Sequence, residues 1–168
     1  MSKARVVLAL GDDVSTDQIY PGRYMATVLP TETPQFAFAD HAAFNSLLKS
    51  GGVPAGSVIV AGKNFGCGSS REQAVSALKG HELVIVAKSF ARIFLQNAIN
   101  LGLRLVEVPD VAAAEGDDLA IGLTEVTDLT TGRRFALRPL PAARQAIMDA
   151  GGLIPYTRKR LVGRGTAA

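Results

Sequence analysis

Cysteine is almost missing from this chain. Cys67 stands alone, so no internal disulfide can form, and one thiol cannot hold a structural zinc or an iron–sulfur cluster. Histidine is nearly as scarce: His41 and His81 lie far apart with no metal-ligand spacing, so any metal chemistry has to come from another chain. Tryptophan is absent and aromatics make up only 6%, which leaves few stacking platforms for single-stranded nucleic acid. Neither sign of charge dominates, since 18 basic against 15 acidic residues gives +3. The basic run Arg158-Lys159-Arg160, with Arg164 after it, reads as a loose solvated tail over about 158–168 rather than a nucleic-acid surface. No apolar run approaches the roughly 18 residues of a membrane span. Met1–Arg5 runs straight into a strand-like stretch without a signal-peptide profile. A cytoplasmic protein, free of membrane and nucleic acid, is the expectation.

What remains is enough for a packed core. The 168 residues, 48% hydrophobic and 20% charged, match one domain and exclude global disorder, and the 17 glycines and 8 prolines are too aperiodic for a fibrous chain. Val6–Leu10 reads as a buried strand. The long connection from Val14 to Pro34 has no sustained periodicity, a feature usually functional or disordered. Asp40 is placed to cap a helix through Lys49. Ser57–Ala61, Leu83–Ala87 and Leu103–Val108 read as buried strands, separated by helices over Glu72–Lys79 and from a Ser89 cap towards Gly102. That alternation predicts a parallel α/β layer. Leu119–Leu123, Glu125–Leu129 and Arg133–Leu137 predict a small antiparallel hairpin, and Leu140–Ala150 a final helix.

Two segments carry the chemistry. Gly62-Lys-Asn-Phe-Gly-Cys-Gly-Ser-Ser-Arg71 joins a buried strand to a helix. Its glycines admit positive φ and close approach of a ligand, the helix start offers unpaired N–H groups, and Arg71 adds a fork suited to carboxylate or phosphate. Ser69 and Ser70 can either cap that helix or face a ligand. Neither nucleotide fingerprint fits, because Ser-Ser follows Gly68 where a phosphate loop needs Lys-Ser, and Arg71 stands where a dinucleotide fold needs its third glycine. The other segment, Gly11 to Met25, holds Asp12, Asp13 and Asp17 with Arg23 on a loop after a buried strand. Its Asp spacing is not that of an EF-hand.

Those two segments, with Ser89-Phe-Ala-Arg-Ile-Phe94, Asn97-Ala-Ile-Asn-Leu-Gly102 and Gly151-Gly-Leu-Ile-Pro-Tyr156, resemble the swivelling domain of the aconitase superfamily, and more narrowly the separate small subunits of 3-isopropylmalate dehydratases. The likeness spans nearly the whole chain with its motifs in order. It implies an aconitase-type swivelling β/β/α fold: an α/β domain over 1–168 whose mixed sheet is flanked by helices. It also implies a hydro-lyase active only with a large subunit, which carries a [4Fe-4S] cluster whose open iron binds substrate hydroxyl and carboxylate. This chain binds no cofactor or metal in that picture. It closes over a small dicarboxylate.

Carried over residue by residue, the resemblance makes Ser69 the base that takes a proton from the carbon beside a carboxylate. Arg71 and Arg23 become carboxylate-binding groups, and Ser70 lines the same loop. Asp17 joins the catalytic set as a supporting group rather than the base, and Cys67 is a small packing residue. Gln73 departs from the family's usual histidine after the Arg-Glu pair and cannot titrate near neutrality. Tyr24, Met25, Ala26 and Thr27 are expected to meet the variable group of the substrate. Homoaconitase-type subunits tend to carry an arginine where Ala26 stands, so 3-isopropylmalate is the first expectation in leucine biosynthesis. The alternatives are 2,3-dimethylmalate, methylmalate/citraconate or homoaconitate chemistry, or a docking domain without chemistry.

Overall fold

Two copies of one tetrapeptide, Val-Ile-Val-Ala, build the middle of the parallel half of the sheet. They form β2 (Val58–Ala61) and β3 (Val84–Ala87), buried at every position and paired in parallel as Val58 with Val84 through Ala61 with Ala87. Strands covered on both faces read as unbroken apolar runs, and alternation sorts them. Val58, Val60, Val84 and Val86 enter one core, whereas Ile59, Ala61, Ile85 and Ala87 enter another beneath the helices. The computed structural model describes residues 2–165. Among these, seven strands lie in the order β4-β3-β2-β1-β5-β6-β7. The remaining strands are β1 (Ser2–Ala9), β4 (Arg104–Glu107), β5 (Asp118–Ile121), β6 (Glu125–Asp128) and β7 (Arg134–Ala136).

The expected Val6–Leu10 strand is longer, and it joins the two halves of the sheet. Its Ser2–Arg5 half pairs antiparallel with β5, while Val6–Ala9 pairs parallel with β2. A register irregularity between Val6 and Leu8 explains why these two residues, which strict alternation puts on one face, enter different cores. The antiparallel part, expected as a small hairpin, takes in β1, β5, β6 and β7. The sheet curls until its far edges meet: Glu107 bridges Arg138, backbone N–H to carbonyl at 2.8 Å and guanidinium to carboxylate at 2.5 Å. Valines dominate the enclosed face, with Leu119, Ile121 and Phe135.

The helices are α1 (Thr16–Ile19), α2 (Ala42–Lys49), α3 (Glu72–Gly80), α4 (Arg92–Leu101), α5 (Ala142–Asp149) and α6 (Leu153–Gly165). The Lys79 ammonium at the end of α3 donates to the carbonyls of Leu101 and Gly151, tying together the chain ends of α4 and α5. Two expected caps differ, and a third, left open between capping and ligand, is settled. His41, not Asp40, caps α2, its Nδ1 accepting the Phe44 N–H at 3.3 Å. Ala91 precedes α4, because the Ser89 hydroxyl is occupied by the Asn64 N–H at 2.9 Å. Arg71 occupies the cap position of α3 without a side-chain cap bond. Arg158, Lys159 and Arg160, expected in a loose tail, lie in α6. The rest of that expectation, residues 166–168, falls outside the described residues.

Candidate active site

β1 and β2 are parallel neighbours, so the segments leaving their carboxyl ends emerge side by side, where open α/β sheets place their ligands. The two chemistry-bearing stretches of the sequence are these two segments, and backbone bonds zip them together. Asp13 N–H donates to the Lys63 carbonyl at 2.8 Å, Gly66 N–H to Val14 at 2.7 Å, and Thr16 N–H to Cys67 at 2.8 Å. Asp12 accepts the Lys63 N–H at 2.7 Å and Asp13 accepts the Asn64 amide at 2.8 Å. These two aspartates therefore serve the backbone and a side-chain amide. Among the described residues no group of three or more His, Cys, Asp or Glu could hold a metal. Cys67 directs its thiol to the Asp13 carbonyl at 3.4 Å, a packing role. The donor set does not fit an iron–sulfur cluster.

A short helix hides in the long connection. Ser15 accepts the Gln18 N–H at 3.2 Å, and Gln18 accepts the Ser15 N–H at 2.8 Å. That reciprocal pair is a capping box, which starts α1. The Ser-x-x-Gln spacing was its signal in the sequence, and the reading by periodicity passed over it. Thr16 then donates its hydroxyl to the Ser69 carbonyl at 2.9 Å, which fixes the backbone of the serine loop. Gly66 sits at φ +83°, and a Cβ there would stand 2.2 Å from Phe94 Cγ. Gly66→Ala should therefore cost about 3 kcal/mol through backbone strain and overpacking, read as a lower urea midpoint. An unchanged midpoint would contradict this packing.

The hydroxyls of Ser69 and Ser70 are exposed and have no hydrogen-bond partner among the described residues. Of the two roles open to them, capping is excluded by Arg71. Arg71 folds back, 11% exposed, onto the first segment. Its Nη1 pairs with Asp17 and donates to the Tyr20 carbonyl at 3.3 Å, while Nε is buried without an acceptor among the described residues. Gly22 makes room for this guanidinium, since a Cβ there would stand 3.2 Å from Nη2. Ser69, Ser70, Arg71 and Asp17 are thus brought together at the start of α3, where the Glu72 and Gln73 N–H groups have no acceptor among the described residues.

Arg23 belongs to the same segment but turns elsewhere. It forms a two-pronged pair with Asp40, at 2.5 and 3.1 Å, and lies over the Tyr24 ring at 4.6 Å. The hydrogen bond to Asp40 raises the Arg23 pKa, and the same bond lowers that of Asp40. Both side chains are solvent-exposed, so the pair is weak enough to open. Its contact with Asp40 was not foreseen. The expected specificity residues form a pinned turn. Tyr24 stacks on Phe36 at 4.1 Å, and the buried Tyr20 hydroxyl donates to the carbonyls of Tyr24 and Thr27 at 3.1 and 3.3 Å. Burial pushes the Tyr20 phenol above its ordinary pKa, which keeps it a donor. A cavity of about 360 Å³ adjoins, lined by Asp17, Gln18, Asp40 and His41 with Leu10, Val14 and Phe38. A second, of about 600 Å³, lies between β4 and α5 and shares no residue with these segments.

Comparison with known proteins gives the family. Residues 41–110 match the aconitase C-terminal domain family. The chain is 40% identical to the 3-isopropylmalate dehydratase small subunit of Thermodesulfovibrio yellowstonii, across 92% of this chain and 93% of that one. It is 43% identical to the isopropylmalate/citramalate isomerase small subunit of Methanocaldococcus jannaschii, covering 92% and 93%. A crystal structure of 3-isopropylmalate dehydratase from the latter organism superposes with a TM-score of 0.88 at 38% identity, covering 99% and 98%. With this identity sustained along nearly its full length, the chain belongs to the family of 3-isopropylmalate dehydratase small subunits.

Proposed function

We propose that this chain, folded as one domain, is the small subunit of a two-subunit hydro-lyase. It interconverts 2- and 3-isopropylmalate by loss and return of water, in leucine biosynthesis in the cytoplasm. The observation that carries the reading is an uncommitted Ser69 hydroxyl two residues before Arg71, itself paired with Asp17, at the start of α3, within a chain so similar to that family. Arg71 takes one carboxylate of the substrate and Asp17 holds its guanidinium in place. Arg23 releases Asp40 to take another. Ser69, ionised beside the helix start and Arg71, removes the proton from the carbon next to a carboxylate as the hydroxyl leaves. It then returns a proton to the carbon that lost the hydroxyl as water adds at the carbon that lost its proton. A large subunit holds the [4Fe-4S] cluster, which supplies Lewis acidity to the departing hydroxyl. This chain contributes the base and the carboxylate grips.

The identity of the substrate rests on the Tyr24–Thr27 turn and its continuation. Met25, Val28 and Leu29 are exposed, and no charged residue stands between Arg23 and Glu32. Such a surface suits an alkyl branch, whereas a further carboxylate would lose hydration without gaining a partner. The citramalate named for one relative is a methyl-branched acid that the same surface could take. With the cognate large subunit, kcat/KM for 3-isopropylmalate should exceed that for homocitrate by about 10²-fold or more, as expected when a buried charge is left unpaired. Preference for homocitrate would overturn the assignment. Neither subunit alone should turn over substrate.

A further inference from the structure

The start of α3 grips the first segment at two points. Arg71 donates to the Tyr20 carbonyl at 3.3 Å, and two residues later Gln73 donates its amide to the Met25 carbonyl at 3.2 Å. Between those anchors lie Pro21, Gly22, Arg23 and Tyr24. The Met25 carbonyl accepts no other bond among the described residues. The Tyr20 hydroxyl also braces this turn, but Tyr20 belongs to the same segment. Gln73 instead reaches across from the helix that carries the serine loop. A side-chain bond between two separate elements fixes their spacing in a way that bonds within one turn cannot.

We infer that Gln73 is a positioning residue, setting where the Tyr24–Thr27 turn stands relative to Ser69 and Arg71, and hence which branch on the substrate the site accepts. This rests on the reading of that turn as the specificity segment. A glutamine suits the task because its amide donates at any working pH and carries no charge that would bind a substrate carboxylate. Methionine has similar length without a donor. Ionised glutamate would set an oxygen against the Met25 carbonyl. Histidine Nε2 is the same number of bonds from Cα as the glutamine amide and can donate.

The test compares Gln73→Met and Gln73→His in the full-length chain, with and without the large subunit. Loss of one hydrogen bond should speed amide exchange across residues 25–28 by about 3- to 10-fold in Gln73→Met. The ratio of kcat/KM for 3-isopropylmalate over citramalate should fall by a similar factor, mainly through KM, and Gln73→His should restore both. Unchanged exchange would overturn the tether while leaving the reading of the turn intact. Faster exchange with an unchanged substrate ratio would overturn the inference through that reading, because the turn would then move without consequence for choice of substrate. A Gln73→His chain as loose and unselective as Gln73→Met would remove the donor role.

Discussion

Ser69→Ala in the assembled enzyme is expected to lower kcat by about 10²–10⁴-fold, the usual contribution of a positioned base, while KM stays within about threefold of the parent value. A serine hydroxyl is a poor base in water, so its alkoxide needs help. The help visible here is the unpaired N–H groups at the start of α3 and the positive charge of Arg71, one residue beyond Ser70. Both strengthen when a closing partner excludes water. The side chain makes no bond that holds the fold together, so its removal should leave the thermal midpoint unmoved. Normal turnover from the folded variant would remove Ser69 from the chemistry.

Arg71→Lys is expected to cost about 10²-fold in kcat/KM, the equivalent of roughly 3 kcal/mol, divided between a higher KM and a lower kcat. Lysine keeps the charge but loses the planar fork. Nη1 of that fork now serves Asp17 and the Tyr20 carbonyl, leaving Nη2 for the proposed substrate oxygen. A single ammonium cannot serve both at fixed geometry. The same substitution removes a link between α3 and the Tyr20–Met25 segment, so the loss should include catalysis and not binding alone. Kinetics indistinguishable from the parent would show that charge suffices and that the fork geometry has no role.

Local patterns in the sequence were sufficient wherever one element decided its own conformation. The two Val-Ile-Val-Ala strands, the glycine-rich join before α3 and the carboxyl ends of α2 and α5 all follow from neighbours in the chain. The order of strands does not, because β1 sits between β2 and β5, a pairing between residues remote in sequence. Nor does the curl that brings Glu107 to Arg138. At the site, the glycine-rich loop that carries Ser69 and Arg71 is legible from its own residues, whereas the contact of Arg71 with Asp17 joins residues remote in sequence. The turn of Arg23 towards Asp40 and the reach of Gln73 to Met25 depend on how the two segments pack, which spacing alone does not encode. The Ser15–Gln18 capping box was local and readable. Apolar periodicity does not reveal it, since a four-residue helix is too short to show a period.

In the proposed function, Ser69 and Arg71 form half of one catalytic cleft, completed by a second polypeptide. A structure of the reconstituted two-subunit complex with bound 2-isopropylmalate tests it most directly. Ser69 Oγ is expected within about 3.5 Å of the carbon that loses its proton, with a substrate carboxylate on Nη2 of Arg71. A substrate seated away from the start of α3, with Ser69 still facing solvent, would contradict it.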